Sequence, residues 1–398
     1  MPDFVPFPAI RYATNGHGSD LSAVCAPPYD VIQPDERAAL LAADPHNAVR
    51  LILPDGYAQA AAFLAAWRAE GTLQTDREPT FSVYRMHFED ADGSPRATTG
   101  VIGALGLDRD RVRLHERTLP KAKSDRLELL RATRANLDPI WALSLAAGLS
   151  AGLPAAGAPL ETAVDGDGVR HELWTVRDPD RLDAIRATVS SAPLVLADGH
   201  HRFETACTYR DERGHGDEGA AAIMTLVVEL APDQLCVRAI HRLLAGVGAD
   251  EVRAAASAWF AVRDAGPNTA GGVDRLEAAM RAEGAVGLVS ADGLALLVPG
   301  PELDARLADL PEPLRGVDSA RVDPVLAGLS RATVDYRDDA HTVAAAVTAG
   351  EASAALLLRP VGIDRIRAAA AAGVRMPEKT TYFAPKPRTG MVFRSLDT

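Results

Sequence analysis

Three cysteines in 398 residues, Cys25, Cys207 and Cys236, are too few and too scattered to build a disulfide framework. They form no CxxC pair and join no Cys/His cluster at zinc spacing, which excludes the common structural zinc motifs. The thiols are expected to stay reduced and to pack as small apolar groups, in keeping with a cytoplasmic protein. Long hydrophobic runs are missing too: nowhere do about 18 apolar residues follow one another, as a membrane-spanning helix requires. Met1–Ile10 has no basic stretch leading into an apolar one, so no export signal is expected. Positive charge is the third shortage. With 42 Lys and Arg against 54 Asp and Glu the net charge is −12, which leaves little long-range attraction for a polyphosphate backbone. No segment reads as a helix-turn-helix, so neither a membrane nor a nucleic-acid partner is expected. A local basic cluster can still hold a small anion.

What is present is the composition of a globular protein, 47% hydrophobic and 24% charged, at a length that exceeds one ordinary core. The expected fold class is mixed α/β in three parts, residues 1–95, 96–247 and 248–398. In the first, Ala26-Pro27-Pro28-Tyr29-Asp30-Val31 is a rigid extended turn ahead of a helix near Pro34–Ala43, whose first turn suits Asp35 and Glu36. Ala58–Glu70 predicts a second helix, and Phe81–Phe88 and Thr98–Leu107 alternate as strands. In the second part a helix is expected over Ser124–Ala135, with Leu127, Leu130 and Thr133 as its inner stripe, then a strand at Ile140–Leu143. Residues 145–192 read as an insertion carrying a strand at Glu172–Val176 and a helix at Pro179–Ser190. Beyond residue 248, amphipathic helices alternate with short strands.

One stretch stands out. The apolar run Leu194-Val195-Leu196-Ala197 stops at Asp198-Gly199 and delivers His200, His201 and Arg202 to the start of a helical segment. A helix N-terminus presents unpaired N–H groups and a partial positive charge, so side-chain donors placed there suit an anion. Gly199 permits a positive φ or a close backbone approach. The competing reading is a solvated turn after a buried strand. The segment from Met376 to Gly390 concentrates Lys379, Thr380, Thr381, Tyr382 and Lys386. It either folds back as a phosphate clamp or forms a strand pinned by Tyr382 and Phe383. Tyr29 and Asp30 are either turn residues or substrate contacts, and Arg126 either lines an anion pocket or sits on a solvated loop. Glu116, set among Arg113 and Arg117, reads on its own as part of a surface ion-pair network.

Ala26-Pro27-Pro28-Tyr29-Asp30-Val31, Ala197-Asp198-Gly199-His200-His201-Arg202 and the Lys-Thr-Thr-Tyr-Phe-x-Pro-Lys core within Met376–Lys386 together resemble domain-of-unknown-function family 1015 over nearly the whole chain. A more remote resemblance is to the ParB/sulfiredoxin superfamily. His115-Glu116, a helix around Arg126–Arg134, Asp138-Pro139-Ile140 and the Asp-Gly-His-His-Arg turn follow in that superfamily's order, with residues 145–192 as an insertion its compact members lack. Within it the free-serine kinases look nearest, because their turn is also Asp-Gly-His-His-Arg. The resemblance implies a nucleotide-binding core flanked by N- and C-terminal α/β extensions. It implies a kinase that uses ATP or ADP with Mg²⁺ on a small hydroxyl compound such as serine.

Carried over by position, the resemblance makes Glu116 the base acting on the substrate hydroxyl. It assigns Asp198, Gly199, His200, His201 and Arg202 to the phosphates, with His200 also in the reaction and Asp198 orienting them or a metal-bound water. Lys379, Thr380 and Lys386 are added as phosphate contacts. His115, Tyr29, Asp30 and Arg126 are expected around the acceptor. Two other readings stay open: a nucleotide-binding regulatory module of ParB type, and a metal-dependent hydrolase using Asp198, His200 and His201.

Overall fold

A computed structural model describes residues 2–13, 19–90, 93–114, 123–153, 157–214 and 216–397. These fall into two compact units: the first runs to Leu114, resumes through Cys236 and is completed from Pro385 onward, and the second spans Val237–Ala384. The class is mixed α/β, as the alternation of periods in the sequence implies.

The first unit contains, in chain order, β1 (Phe4–Val5), β2 (Ala9–Tyr12), α1 (Pro34–Ala43), α2 (Val49–Ile52), α3 (Tyr57–Ala69), β3 (Leu73–Thr75), β4 (Phe81–Glu89), β5 (Pro95–Gly106) and β6 (Val112–Leu114). There follow α4 (Lys123–Thr133), β7 (Ala135–Asn136), β8 (Ile140–Ser144), β9 (Glu161–Val164), β10 (Arg170–Val176), α5 (Pro179–Ser190), β11 (Leu194–Asp198), α6 (His200–Arg213) and β12 (Ala222–Glu229). Proline starts α1 and α5, where its missing N–H costs nothing, and Asp178 caps α5 by accepting from the Arg181 N–H at 3.0 Å.

The main sheet has the order β6-β11-β8-β12-β5-β4-β10-β9, with β1 also on β5. β6 runs parallel to β11 and β8 parallel to β12; the other pairs are antiparallel. β11 therefore lies inside the sheet, which explains its unbroken apolar run. Leu194 and Leu196 pack with Phe203, Ala206 and Cys207 of α6 and with Ile185 and Val189 of α5. The β8–β11 register slips between Leu196 and Asp198, so Ala197 is an extra residue and Asp198 is turned as the strand ends.

α4 packs on α3 and α6. Leu127 and Leu130 of the expected stripe are half-buried and pack on the Tyr209, Ala220 and Leu396 cluster, and Leu129 between them is buried as well, because α3 and α6 cover the helix from two sides. Thr133 is buried as expected, its hydroxyl donating to the Leu129 carbonyl at 2.8 Å. All three cysteines are free, and burial pushes the Cys25 thiol up to about 12. Among the described residues no helix is long and apolar enough to cross a membrane.

The chain end belongs to this unit. The strand Phe393–Ser395 inserts between β2 and β7 in a four-stranded sheet completed by β3. Buried Arg394 donates to the Asn136 side chain at 3.1 Å and to the carbonyls of Ala222 and Gly219 at 2.9 and 3.0 Å. The second unit is a six-stranded antiparallel sheet, Phe260–Gly266, Gly293–Pro299, Val286–Ser290, Ala354–Leu357, His241–Ala245 and Thr333–Arg337 in spatial order, with an apolar core cluster against each face.

A Cβ added at Gly219 would stand 1.9 Å from the Leu396 carbonyl oxygen. Gly219→Ala is expected to destabilise the first unit by about 1–3 kcal/mol, as overpacking against backbone does. A thermal melt checks this, and an unchanged midpoint would contradict so close an approach.

Candidate functional site

The site forms where β11 hands over to α6. Gly199 holds φ +86°, and a Cβ there would meet Ile140 Cγ2 at 2.6 Å, so both backbone and space require glycine. Gly199, the N-cap residue, has no side chain to cap the helix, and the Phe203 N–H donates to the Gly199 carbonyl at 2.9 Å. His200 and His201, both half-buried, begin the helix.

Asp198 lies between two cations. Its Oδ2 accepts from Arg202 Nη2 at 2.7 Å, and its Oδ1 pairs with Lys386 Nζ. Arg202 continues inward: its Nη1 donates to the Pro139 carbonyl at 2.9 Å and pairs with Asp138. The four side chains retain only 10–15% of their exposure. Burial works to raise the Asp198 pKa, but Lys386 and Arg202 outweigh it and hold the carboxyl well below the usual range. For Asp138 burial prevails over the neighbouring arginines, and its pKa is raised. Burial opposes the charge of Arg202, yet Asp138 and Asp198 raise its pKa further.

Tyr29 and Arg126 stand beside this network. The Arg126 guanidinium lies 4.2 Å from the centre of the Tyr29 ring, donates from Nε to Asp125 at 2.8 Å and from Nη1 to the Ile52 carbonyl at 2.8 Å. Burial, opposed by Arg202 and aided by Asp30, pushes the Tyr29 phenol up to about 12. Asp30 is exposed and acts on Asp138 and Arg202 through its charge.

Lys386 owes its position to the segment that follows it. Thr389 exchanges backbone hydrogen bonds with Ala26 at 2.9 and 3.0 Å, and the Arg388 N–H donates to the Tyr84 hydroxyl at 3.0 Å. That hydroxyl lies 2.7 Å from His171 Nδ1, whose Nε2 faces Asp165 at 3.2 Å. Because the phenol oxygen accepts from Arg388, its own proton points to Nδ1, which leaves Nε2 as the N–H donor to Asp165. Burial lowers the His171 pKa against the pull of Asp165, consistent with this neutral form.

The expected residues thus divide. Asp198, Gly199, His200, His201, Arg202, Lys386, Tyr29, Asp30 and Arg126 all belong to the first unit. Lys379 and Thr380 belong to the second, where the Lys379 carbonyl accepts from Arg242 at 2.9 Å and the Thr380 hydroxyl lies 2.6 Å from that of Ser319. His115 and Glu116 lie outside the described residues. Among the described residues no group of three His, Cys, Asp or Glu side chains converges as a metal cage. Asp198 does not fit a resident Mg²⁺, since each of its oxygens already faces a cation that would repel one. Arg202, expected as a mobile phosphate donor, is braced against two carboxylates and a carbonyl.

The family model described as "Protein of unknown function (DUF1015)" matches residues 4–324. The chain belongs to the DUF1015 family. The DUF1015 match includes Tyr29, Asp138 and the β11–α6 turn, and it stops before Lys386. No curated protein matches the sequence. Among solved structures the chain is similar to a free serine kinase variant in complex with AMP, at 14% identity and TM-score 0.42 over 72% of this chain and 87% of that one. A free serine kinase variant with ADP gives 14% and 0.41 over the same shares. A conserved hypothetical protein from Pyrococcus furiosus gives 13% and 0.41 over 75% and 96%.

Asp138 is the residue that motif reading passed over. It was visible only as part of Asp138-Pro139-Ile140, and its role depends on β8 lying beside β11. Replacing Asp198 by Asn removes the buried carboxylate that Lys386 and Arg202 share, so Asp198→Asn is expected to cost about 3 kcal/mol at pH 7. The folded pKa of Asp198 is depressed, so its contribution is complete above the unfolded value of about 4 and is lost as pH falls below it. Denaturant titrations of both proteins from pH 7 to pH 3 should show the gap constant and then closing; a gap that widens in acid would contradict the pairing.

Proposed function

We propose that this DUF1015 protein is a nucleotide-dependent phosphotransferase acting on a small free hydroxyl compound, serine being the first acceptor to test, and that β11, α6 and their neighbours form a ParB/sulfiredoxin-like nucleotide core. The observation that carries the reading is the start of α6, whose N-cap is a glycine and whose preceding carboxylate, Asp198, is matched by Lys386 and Arg202. Phosphoryl transfer asks a protein mainly for positioning and charge neutralisation, which such a corner supplies.

In this reading the backbone N–H groups from Gly199 onward, with His200 and His201, receive the phosphates, and His200, the histidine whose charge acts on Asp198, faces the transferred group. Arg202 positions Asp198 and the turn. Glu116 takes the proton of the acceptor hydroxyl as its oxygen attacks the terminal phosphorus and the bond to the leaving nucleotide oxygen breaks. Tyr29 and Asp30, with His115, are the contacts proposed for the acceptor. Mg²⁺, if carried by the nucleotide, would supply further charge neutralisation at the phosphates, and no carboxylate of the corner is assigned to hold it.

The test is a thermal-shift series with ATP and ADP, with and without Mg²⁺, on wild type, Lys386→Met and Glu116→Gln. A nucleotide at a hundred times its Kd is expected to add about 2.7 kcal/mol to wild-type stability. Lys386→Met should lose most of that gain. Glu116→Gln should keep it while transfer to serine falls by about 10²–10⁴-fold. Absence of any shift overturns the reading; a shift with no transfer to any hydroxyl acceptor replaces it with the regulatory module.

A further inference from the structure

A cleft between α4 and α6 opens on the flank of the Arg202–Asp138 pair, with a volume of about 470 Å³ out to its mouth. Leu129, Leu130, Leu137 and Ile223 make its walls apolar.

Five polar side chains line it; Asn136 is bonded to Arg394 and to the Met224 N–H, and Asp138 pairs with Arg202, which leaves two. Thr205 is 4% exposed, and its hydroxyl makes no hydrogen bond within the protein. A buried hydroxyl left unpaired destabilises a fold, and such groups persist where a ligand or water completes them. Arg126 is the other: Asp125, the Ile52 carbonyl and the Tyr29 ring fix its guanidinium as a flat, immobile cation. Apolar walls, a planar cation and one buried hydroxyl suit a flat heteroaromatic ring, which can stack on a guanidinium and offers hydrogen-bonding atoms at its edge. The distance fits as well. Thr205 lies five residues beyond His200, about 7.5 Å along the helix axis, on the scale that separates a nucleobase from its phosphates.

We propose that the α4–α6 cleft holds the nucleobase of the nucleotide whose phosphates lie at the start of α6, with the Thr205 hydroxyl bonded to the ring edge. The proposal rests on the nucleotide reading above and is tested separately from it. Calorimetry compares ADP with pyrophosphate, which has no base, on wild type, Thr205→Val and Thr205→Leu. Thr205→Val keeps the shape and removes the hydroxyl; its melting temperature should equal or exceed that of wild type. ADP should bind it about fivefold more weakly, and the bulkier Thr205→Leu about tenfold or more, with pyrophosphate affinity unchanged in both. ADP affinity unchanged in both variants, or ADP and pyrophosphate weakened alike, overturns the base site while the phosphate site stands. Failure of wild type to bind either ligand overturns both.

Discussion

A carboxylate at the head of a helix repels the anion that the helix end would otherwise attract, and Asp198 occupies that position. The arrangement works because Lys386 takes one carboxylate oxygen and Arg202 the other, with Asp138 balancing Arg202 from within. Charges this deeply buried are tolerated only when each has a partner in good geometry. The network consequently ties together the end of β11, the first turn of α6, the approach to β8 and the chain terminus.

Several unrelated features serve that geometry. The extra residue at Ala197 and the left-handed Gly199 turn the chain sharply enough for Asp198 and Arg202, four residues apart, to meet on the first turn of the helix. Gly199 packs against Ile140 so closely that a methyl group has no room, which fixes the distance between β8 and α6 and brings Asp138 within reach of Arg202. On the other side the Asp165 carboxylate, the neutral His171 ring and Tyr84 hold the Arg388 backbone, two residues from Lys386. The Pro27-Pro28 turn is anchored to the same segment through Ala26 and Thr389, so Tyr29 and Lys386 reach the site from one support. Lys386 lies beyond the span of the family match, and the first unit is complete only with its last residues.

Much of this was legible in the sequence. Helical spacing placed Pro179–Ser190, a proline start with an acidic first turn placed Pro34–Ala43, and strand-like runs placed β4, β5 and β10 to within a few residues, because these are short-range signals. The turn was legible for the same reason: an apolar strand, an Asp-Gly break and a polar helix start are local signals. The stripe of α4 was legible through Leu127, Leu130 and Thr133, and only the packing of α3 and α6 from two sides adds Leu129 to it.

By itself, then, the sequence determined the mixed α/β class, the strand–turn–helix at Asp198–Arg202 and the membership of Lys386 in an unusual terminal segment, all of which follow from short-range pattern and composition. Only the tertiary structure decided that Arg202 is a brace with Asp138 as its partner, that Lys386 joins Asp198 while Lys379 and Thr380 belong to another unit, and that Thr205 ends at a cleft. Strand order and helix packing set those pairings. Residues 64 and 188 positions apart become neighbours through the sheet, and no local periodicity carries that information.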